Sequence, residues 1–328
     1  LVQCQNLKCN LVQLTHDYDF NDLYRKGYGY RSGINKTMRS HLNEIVDQLL
    51  VESELKDNDT VLDIASNDGT LLKSYKNPNI NLIGIDPTIS QYKEYYPINR
   101  TYLSSEFFSK EVFHSISPTR YAKLISSIAV FYDVPDPNLF ANDIASILDE
   151  NGVWVMEQSY LPLLIKDLSF DSICHEHLAY YGLKQIKLAA EGANLKVFNV
   201  DTNNMNGGSI RVFICHSDSN RFINNSNLKR IEKMEAIAKI DNHSTFIKFK
   251  DKIMSIGNKL VDFIKKEKNK GKRIHIYGAS TKGNVLLQLF GIGNDLIDAA
   301  AERNEWKYGH RTPGTNIPII SEQESREL

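Results

Sequence analysis

Two short apolar runs, each closed by an acid and separated by a small-residue turn, limit the folds open to this chain. "TVLDIASNDGTLL" (residues 60–72) reads as a strand, a turn with a single glycine and the start of a helix; "NLIGIDP" (81–87) is a second run ending in Asp86. Parallel neighbours need a crossover, and a helix between two such strands is the opening of a doubly wound α/β sheet. "YAKLISSIAVFYDVPDP" supplies a third strand and "NGVWVMEQSYL" a fourth, with helical "NLFANDIASILDE" between them. "NLKVFNVDT" and "GSIRVFICHS", split by "NNMNGG", close the sheet as an antiparallel pair. Upstream, Met38, Leu42, Ile45, Leu49 and Leu50 recur as one face of a helix. The strand, turn, helix pattern restarts in "KRIHIYGASTKGNVLLQLFGI" (272–292), followed by "LIDAAAE" and "IPII", so a second α/β unit begins near Gly271 after a lysine-rich helical connector.

A length of 328 residues suits two domains. The 39 Lys and Arg nearly cancel the 40 Asp and Glu, and both signs are dispersed, which excludes an electrostatic nucleic-acid binder and points to a small-molecule partner. No apolar run approaches the roughly 20 residues that span a bilayer, and no signal-type opening is present, so no membrane partner and a cytoplasmic location are expected. The four cysteines, Cys4, Cys9, Cys174 and Cys215, are too scattered for a disulfide framework and leave reduced thiols or a metal. Opening on Leu1 rather than Met reads as part of a longer protein. No interface stripe makes an oligomeric state legible.

The turn "DIASNDG" lacks the G-x-G-x-x-G of dinucleotide sites, so a pyrophosphate is poorly served. A backbone around Ala65, Ser66, Asn67 and Gly69 that faces an amino-acid-bearing nucleoside, with Asp86 accepting both ribose hydroxyls, favours S-adenosylmethionine over NAD. Asp63, Pro87 and Ser127, at strand ends beside this turn, complete the expected cofactor-binding set. In "SICHEHLAYYGL" (172–183), a metal would use His175 and His177 with Cys174, but ligands this close in one segment are awkward. Acid/base work is the better reading: in an extended segment Cys174 and Glu176 share one face, His175 and His177 the other. "YGYRSG" gathers Tyr28, Tyr30 and Arg31, which suit either an anionic polyhydroxylated ligand or packing. Asn206 and Gly207 in "NMNGGSIR" read as a hairpin turn or as close backbone approach to a ligand. In "YGASTKGN", Lys282 and the backbone N–H groups near Ser280 either meet phosphates or open a helix that only packs. Cys4 and Cys9 stand as C-x4-C, a weak zinc signal without a second pair.

Taken in order, "VLDIASNDGTLL", "HEHLAYY", "NGGSIR", "YGASTKGN" and "RTPGTNIPII" resemble, across nearly the whole chain, the S-adenosylmethionine-dependent sugar C-methyltransferases that act on nucleotide-linked keto-deoxysugars. The resemblance implies a class I methyltransferase Rossmann-like sheet, a second Rossmann-like C-terminal domain and a remnant of an N-terminal zinc-binding region. The corresponding boundaries are 1–27 for the zinc remnant, 28–225 for the methyltransferase domain, 226–270 for the connector and 271–328 for an incomplete C-terminal domain. It further implies S-adenosylmethionine and a structural zinc on Cys4 and Cys9 as cofactors, and a nucleotide sugar as partner. His177 would be the general base, assisted by Glu176 with His175 beside it, and Tyr30 would stand near the sugar. Tyr28, Arg31, Asn206, Gly207 and Lys282 would bind the substrate. The chain departs from the family at Cys174, Asn206, Ala129 and Asp133. Sugar O-methylation, or a catalytically idle protein that only carries a nucleotide sugar, are the alternatives.

Overall fold

The structure is a computed structural model that describes residues 1–16, 18–24 and 28–328. The chain forms two compact units, 1–162 with 178–241, and 163–177 with 242–328. These cuts differ from the boundaries read at 225/226 and 270/271. The boundary at residue 27 falls on Gly27, outside the described residues.

In the first unit, strands β1 (Val2–Gln3), β2 (Val12–Gln13), β3 (Thr60–Ile64), β4 (Asn81–Ile85), β5 (Thr101–Ser104), β6 (Ala122–Ile128), β7 (Leu148–Ser159), β8 (Ala179–Tyr180), β9 (Leu195–Asn203) and β10 (Ser209–His216) make two sheets. The large one runs β5-β4-β3-β6-β7-β10-β9. β5 through β7 are parallel, and β10 runs antiparallel to both β7 and β9. The order reverses between β3 and β6, which makes their carboxyl ends the topological switch point where open α/β sheets bind ligands. The small sheet, β1-β2-β8, pins the N-terminal segment to the chain after residue 178.

Helix α1 (Lys36–Glu52) covers one face of the large sheet. Asn35 caps it by accepting from Thr37 N–H, and His41, Leu42, Ile45, Val46 and Leu49 are buried. Val46 takes the core place read for Leu50, which is exposed, because a 3.6-residue period carries the face back to position 46. Ile45 and Leu49 meet Val61, Leu124, Val153 and Phe213 in one cluster. Helices α2 (Pro137–Ile147) and α3 (Leu183–Gly192) pack together, and Phe131 stands at ring-contact distance from Phe140, Trp154 and Tyr181. The lysine-rich stretch is two helices: α4 (Asn225–Ala238), which buries Leu228 and Ile231 in the first unit, and α5 (His243–Lys268), which belongs to the second.

The second unit holds a parallel sheet β11-β12-β13 (His275–Tyr277, Ala299–Glu302, Ile319–Ser321), with α6 (Thr281–Phe290) crossing between the first two strands. Its core joins Ile264 of α5 to Leu287, Ile297, Ala300 and Ile317. Among the described residues no helix is long and apolar enough to cross a membrane.

Candidate active site

The turn after β3 is built from left-handed residues. Ala65 (φ 58°), Asn67 (51°) and Gly69 (71°) alternate with ordinary ones, and Ala129, after β6, is also left-handed (56°). Two alanines in a conformation that side chains disfavour, one at the end of each strand flanking the switch point, mark backbone held for a purpose. Asp86 closes β4 and ties the turn down. Its carboxylate accepts from Asn67 N–H (2.9 Å), Thr88 N–H (2.6 Å) and Thr88 Oγ1 (2.5 Å). A carboxylate has about four acceptor positions, so one remains for a ribose hydroxyl rather than the two expected. Gly69 is required by packing: a Cβ there would stand 2.7 Å from the Tyr96 ring. The Tyr96 hydroxyl donates to Asn67 C=O (2.8 Å) and so accepts from Ser66 Oγ (2.7 Å).

Three buried carboxylates share this turn. Burial pushes Asp63 up to about 7 against its Ser126 hydrogen bond (2.6 Å), helped by the Asp86 charge. Burial also raises Asp86, although Thr88 and Asn67 hydrogen bonds oppose it. Asp68 accepts from Gly33 N–H and Thr70 Oγ1 and faces one cation, Arg31, at 3.4 Å. A site with surplus negative charge under cover suits a ligand that brings positive charge, and the sulfonium and ammonium of S-adenosylmethionine fit that need.

Residues 28–33 lie as a strap on the turn. Ser32 N–H donates to Asn67 Oδ1 (3.0 Å), Asn67 Nδ2 donates to Tyr30 C=O (3.0 Å), and Tyr92 OH donates to Tyr28 C=O (2.8 Å). The Arg31 guanidinium sits 3.8 Å from the Tyr95 ring centroid, so its charge is spent on Asp68 and an aromatic face rather than offered to a substrate anion. The Tyr30 ring is half exposed, and burial of its hydroxyl raises its pKa. Pro87 is part-buried beside Asp86. Ser127 does not reach the crevice. It is wholly buried, and its Oγ accepts from Trp154 Nε1 (2.9 Å) in the opposite-face core. Asn206 (φ 54°) and Gly207 are exposed in the hairpin turn before β10. That turn stands at the same carboxyl edge, since Gly208 C=O accepts from Tyr160 N–H after β7.

The sequence reading missed a buried ionic network near this edge. His41 Nε2 donates to Glu157 Oε1 (2.5 Å), while Glu157 Oε2 accepts from Arg211 Nε (2.7 Å) and Asn203 Nδ2 (2.9 Å). Burial would raise Glu157, but the His41 hydrogen bond and Arg211 outweigh it and hold the carboxyl below its usual value. The signal was present: a charge in "VWVMEQ" and another in "SIRVFI", inside otherwise apolar strands, each demand a partner. The neighbouring Gln158 is also buried, with no hydrogen-bond partner among the described residues at either end of its amide.

The His175–His177 stretch belongs to the second unit. It is a turn rather than an extended run, with His177 N–H donating to Cys174 C=O (3.2 Å), so the expected alternation of faces is absent. The His177 ring lies 2.7 Å through Nδ1 from Ser172 C=O. A carbonyl only accepts, so the proton is on Nδ1 and the lone pair on Nε2. Burial pushes this imidazole down to about 4 against that bond, with the Lys282 charge assisting. Glu176 Oε1 stands 3.8 Å from His175 Nε2, and the bond that orients His177 comes from Ser172. Lys282 lies in the first turn of α6.

Cys4 and Cys9 face one another in the N-terminal hairpin. Burial raises the Cys9 thiol, opposed by the Leu11 backbone, and the Cys4 thiol adds to the rise. Two thiols are half of a tetrahedral zinc site, and no group of three or more His, Cys, Asp or Glu able to hold a metal occurs among the described residues. The zinc expectation on Cys4 and Cys9 therefore gains no support here.

Residues 34–200 match the family model of the methyltransferase domain, and residues 204–328 that of the C-methyltransferase C-terminal domain. The C-methyltransferase NovU of Streptomyces niveus is 27% identical across 97% of this chain and 75% of its own length. Among solved structures, an S-adenosylmethionine-dependent methyltransferase from Clostridium acetobutylicum aligns with 54% of this chain and 92% of its own, at 13% identity and a TM-score of 0.42. A Haloferax volcanii protein in complex with the methyltransferase activator Trm112 aligns with 56% of this chain and 94% of its own, at 16% identity and a TM-score of 0.44.

Proposed function

Since this chain belongs to the methyltransferase-domain family and is an S-adenosylmethionine-dependent methyltransferase, we propose that it methylates carbon, on a nucleotide-linked 4-keto-deoxysugar, through an enolate. The observation that carries this reading is the fixed tautomer of His177: an imidazole kept neutral, with Nδ1–H held by Ser172 C=O, carries its basic lone pair on Nε2. The C-methyltransferase model matched by residues 204–328 and the likeness to NovU support carbon as the acceptor.

S-adenosylmethionine, when bound, supplies an electrophilic methyl on a sulfonium whose leaving group is a neutral thioether. The turn at 65–69 would hold its amino-acid portion, Asp86 would accept one ribose hydroxyl, and Asp63, Asp68 and Asp86 would balance its positive charge. His177 Nε2 takes the proton from the carbon next to the ketone, which the carbonyl has acidified. The ring becomes an imidazolium still held through Nδ1 by Ser172. By the resemblance, Tyr30 stands near the sugar; a tyrosine or histidine donates to the enolate oxygen, and Asn206 and Gly207 bind the substrate.

The test is deuterium exchange and methyl transfer on a panel of nucleotide 4-keto sugars in D2O. The native enzyme is expected to exchange the proton beside the ketone without cofactor and to place a methyl on that carbon with it. His177→Ala should lose both by about 10²–10⁴-fold. A methyl on oxygen without exchange would replace the enolate reading with O-methylation, and full transfer by His177→Ala would remove His177 as the base.

A further inference from the structure

Three consecutive residues of the hairpin turn before β10 hold positive φ: Asn206 at 54°, Gly207 at 86° and Gly208 at 111°. Backbone of this kind persists only where its surroundings fix it, and a residue with a side chain is disfavoured there. The fixing comes from below the tip. Asn203 Oδ1 accepts from Met205 N–H (2.9 Å), Met205 C=O accepts from Gly208 N–H (2.9 Å) and Ser209 Oγ (3.0 Å), and Gly208 C=O accepts from Tyr160 N–H (3.0 Å). The tip, Asn206 and Gly207, is exposed, so core packing does not account for the hold. A turn fixed this firmly at the ligand-binding edge of a sheet is one whose particular shape is used.

Asn203 also reaches the buried ionic network. Its Nδ2 donates to Glu157 Oε2 (2.9 Å), beside the Arg211 Nε bond to the same oxygen (2.7 Å). Arg211 supplies Glu157 with an opposite charge and His41 supplies a second donor, so burial of the carboxylate is compensated without Asn203. Asn203 is itself only half-buried and would find water if released. The bond between them therefore serves the amide: with Nδ2 on Glu157 and Oδ1 on Met205, an amide flip would set oxygen against oxygen at one end and N–H against N–H at the other. Glu157 is in turn tied to the rest of the crevice. Its C=O accepts from the N–H of left-handed Ala129 (2.7 Å), and Arg211 Nη1 donates to Gln48 Oε1 (2.6 Å) and Glu44 Oε1 (3.3 Å). His41, Glu44 and Gln48, three and four residues apart, form one polar face of α1, and α1 follows the strap that holds Asn67 in the cofactor turn.

We propose that Asn203 is a positioning residue for methyl transfer: bridging Glu157 to Met205, it sets the backbone of residues 205–208 against the methyl acceptor and in register with the cofactor turn. The proposal rests on the reading above that Asn206 and Gly207 bind the substrate.

The experiment compares the native chain with Asn203→Ala and Asn203→Asp in methyl transfer to the panel of nucleotide 4-keto sugars, in S-adenosylmethionine binding by calorimetry and in thermal unfolding. Asn203→Ala removes both bonds and leaves His41, Glu157 and Arg211 paired, so the chain should fold. Acceptor KM should rise about tenfold, the scale of one lost hydrogen bond, and Kd for S-adenosylmethionine should stay within about twofold. A purely structural residue would lower the folded fraction, which scales kcat and leaves KM in place, and that result would overturn the proposal. Asn203→Asp keeps the acceptor for Met205 N–H but sets a carboxylate against Glu157, so at neutral pH it should resemble Asn203→Ala. Native KM in this variant would overturn the link through Glu157. Amide hydrogen exchange gives a readout that needs no acceptor: Met205 and Gly208 should exchange faster in Asn203→Ala, and unchanged protection would overturn the bridge. If the native chain methylates none of the panel, the substrate reading fails and the role toward the acceptor falls with it, while faster exchange in Asn203→Ala would still support the bridge.

Discussion

Asp63 and His177 are displaced in opposite senses, and both displacements can be measured. Asp63 is raised to about 7 from 3.8, so the folded chain keeps a proton that the unfolded chain has shed. Its favourable contribution is complete below the unfolded value and disappears as pH climbs through about 7. Relative to the native protein, Asp63→Asn should therefore gain stability as pH rises from about 4 to about 7 and hold that gain above it, by roughly 4 kcal/mol at most. Denaturant titrations followed by Trp154 fluorescence would read this difference. A cation arriving beside the same carboxyls favours their ionised forms, so S-adenosylmethionine binding at pH 7 should release protons. Calorimetry in buffers of differing ionisation enthalpy would count them. His177 is lowered to about 4 from 6.5, so the base stays neutral well into acid, and kcat/KM should stay level from pH 8 down to about 5.5 as far as this group governs it. A pH–rate profile falling near 6.5 would assign the base to another residue. The positions of Asp63 and Asp86 were legible because each ends an apolar run. Ser127 was misread because alternation along a strand puts Ser126 and Ser127 on opposite faces without saying which faces the crevice.

At the scale of elements, β3, β4, β6 and β7 and the closing antiparallel pair were legible from apolar runs punctuated by turns. β1, β2 and β8 were not, because strands of two residues carry no periodicity and exist through partners far along the chain. Leu14 N–H, for example, donates to Leu178 C=O. β5, four half-buried residues, was invisible for the same reason. Helix contacts set a sharper test. Gly257 of α5 lies against Phe290 of α6, where an added Cβ would stand 2.2 Å from the ring. Alanine is the better helix former by up to about 1 kcal/mol, yet Gly257→Ala should destabilise the second unit by about 1–3 kcal/mol, because the ring must move. Pairing it with Phe290→Leu should recover part of that loss, measured as the coupling in a double-mutant cycle. In the first unit, Arg211→Leu would strip a buried carboxylate of its cation and should cost about 3–5 kcal/mol.

Across the whole molecule, the second unit is assembled from two separated pieces of chain, 163–177 and 242–328. Phe170 in the first piece meets Phe290 in the second, the rings tilted to one another at 5.5 Å between centroids. A fragment limited to 242–328 should therefore expose the Phe290 ring and bind an apolar dye more strongly than the full chain does. No reading of local sequence could find this division, because periodicity reports which face of an element is buried and not what buries it. The division also orders events during synthesis. The short piece that carries His177 leaves the ribosome before any of the strands it will join. At a few to about 20 residues per second, it waits roughly 7–30 s for the polypeptide to reach β13. Until then its apolar residues, Phe170 and Ile173 among them, stand uncovered on the nascent chain. That interval, rather than the finished fold, is when this protein is most open to a chaperone or to aggregation.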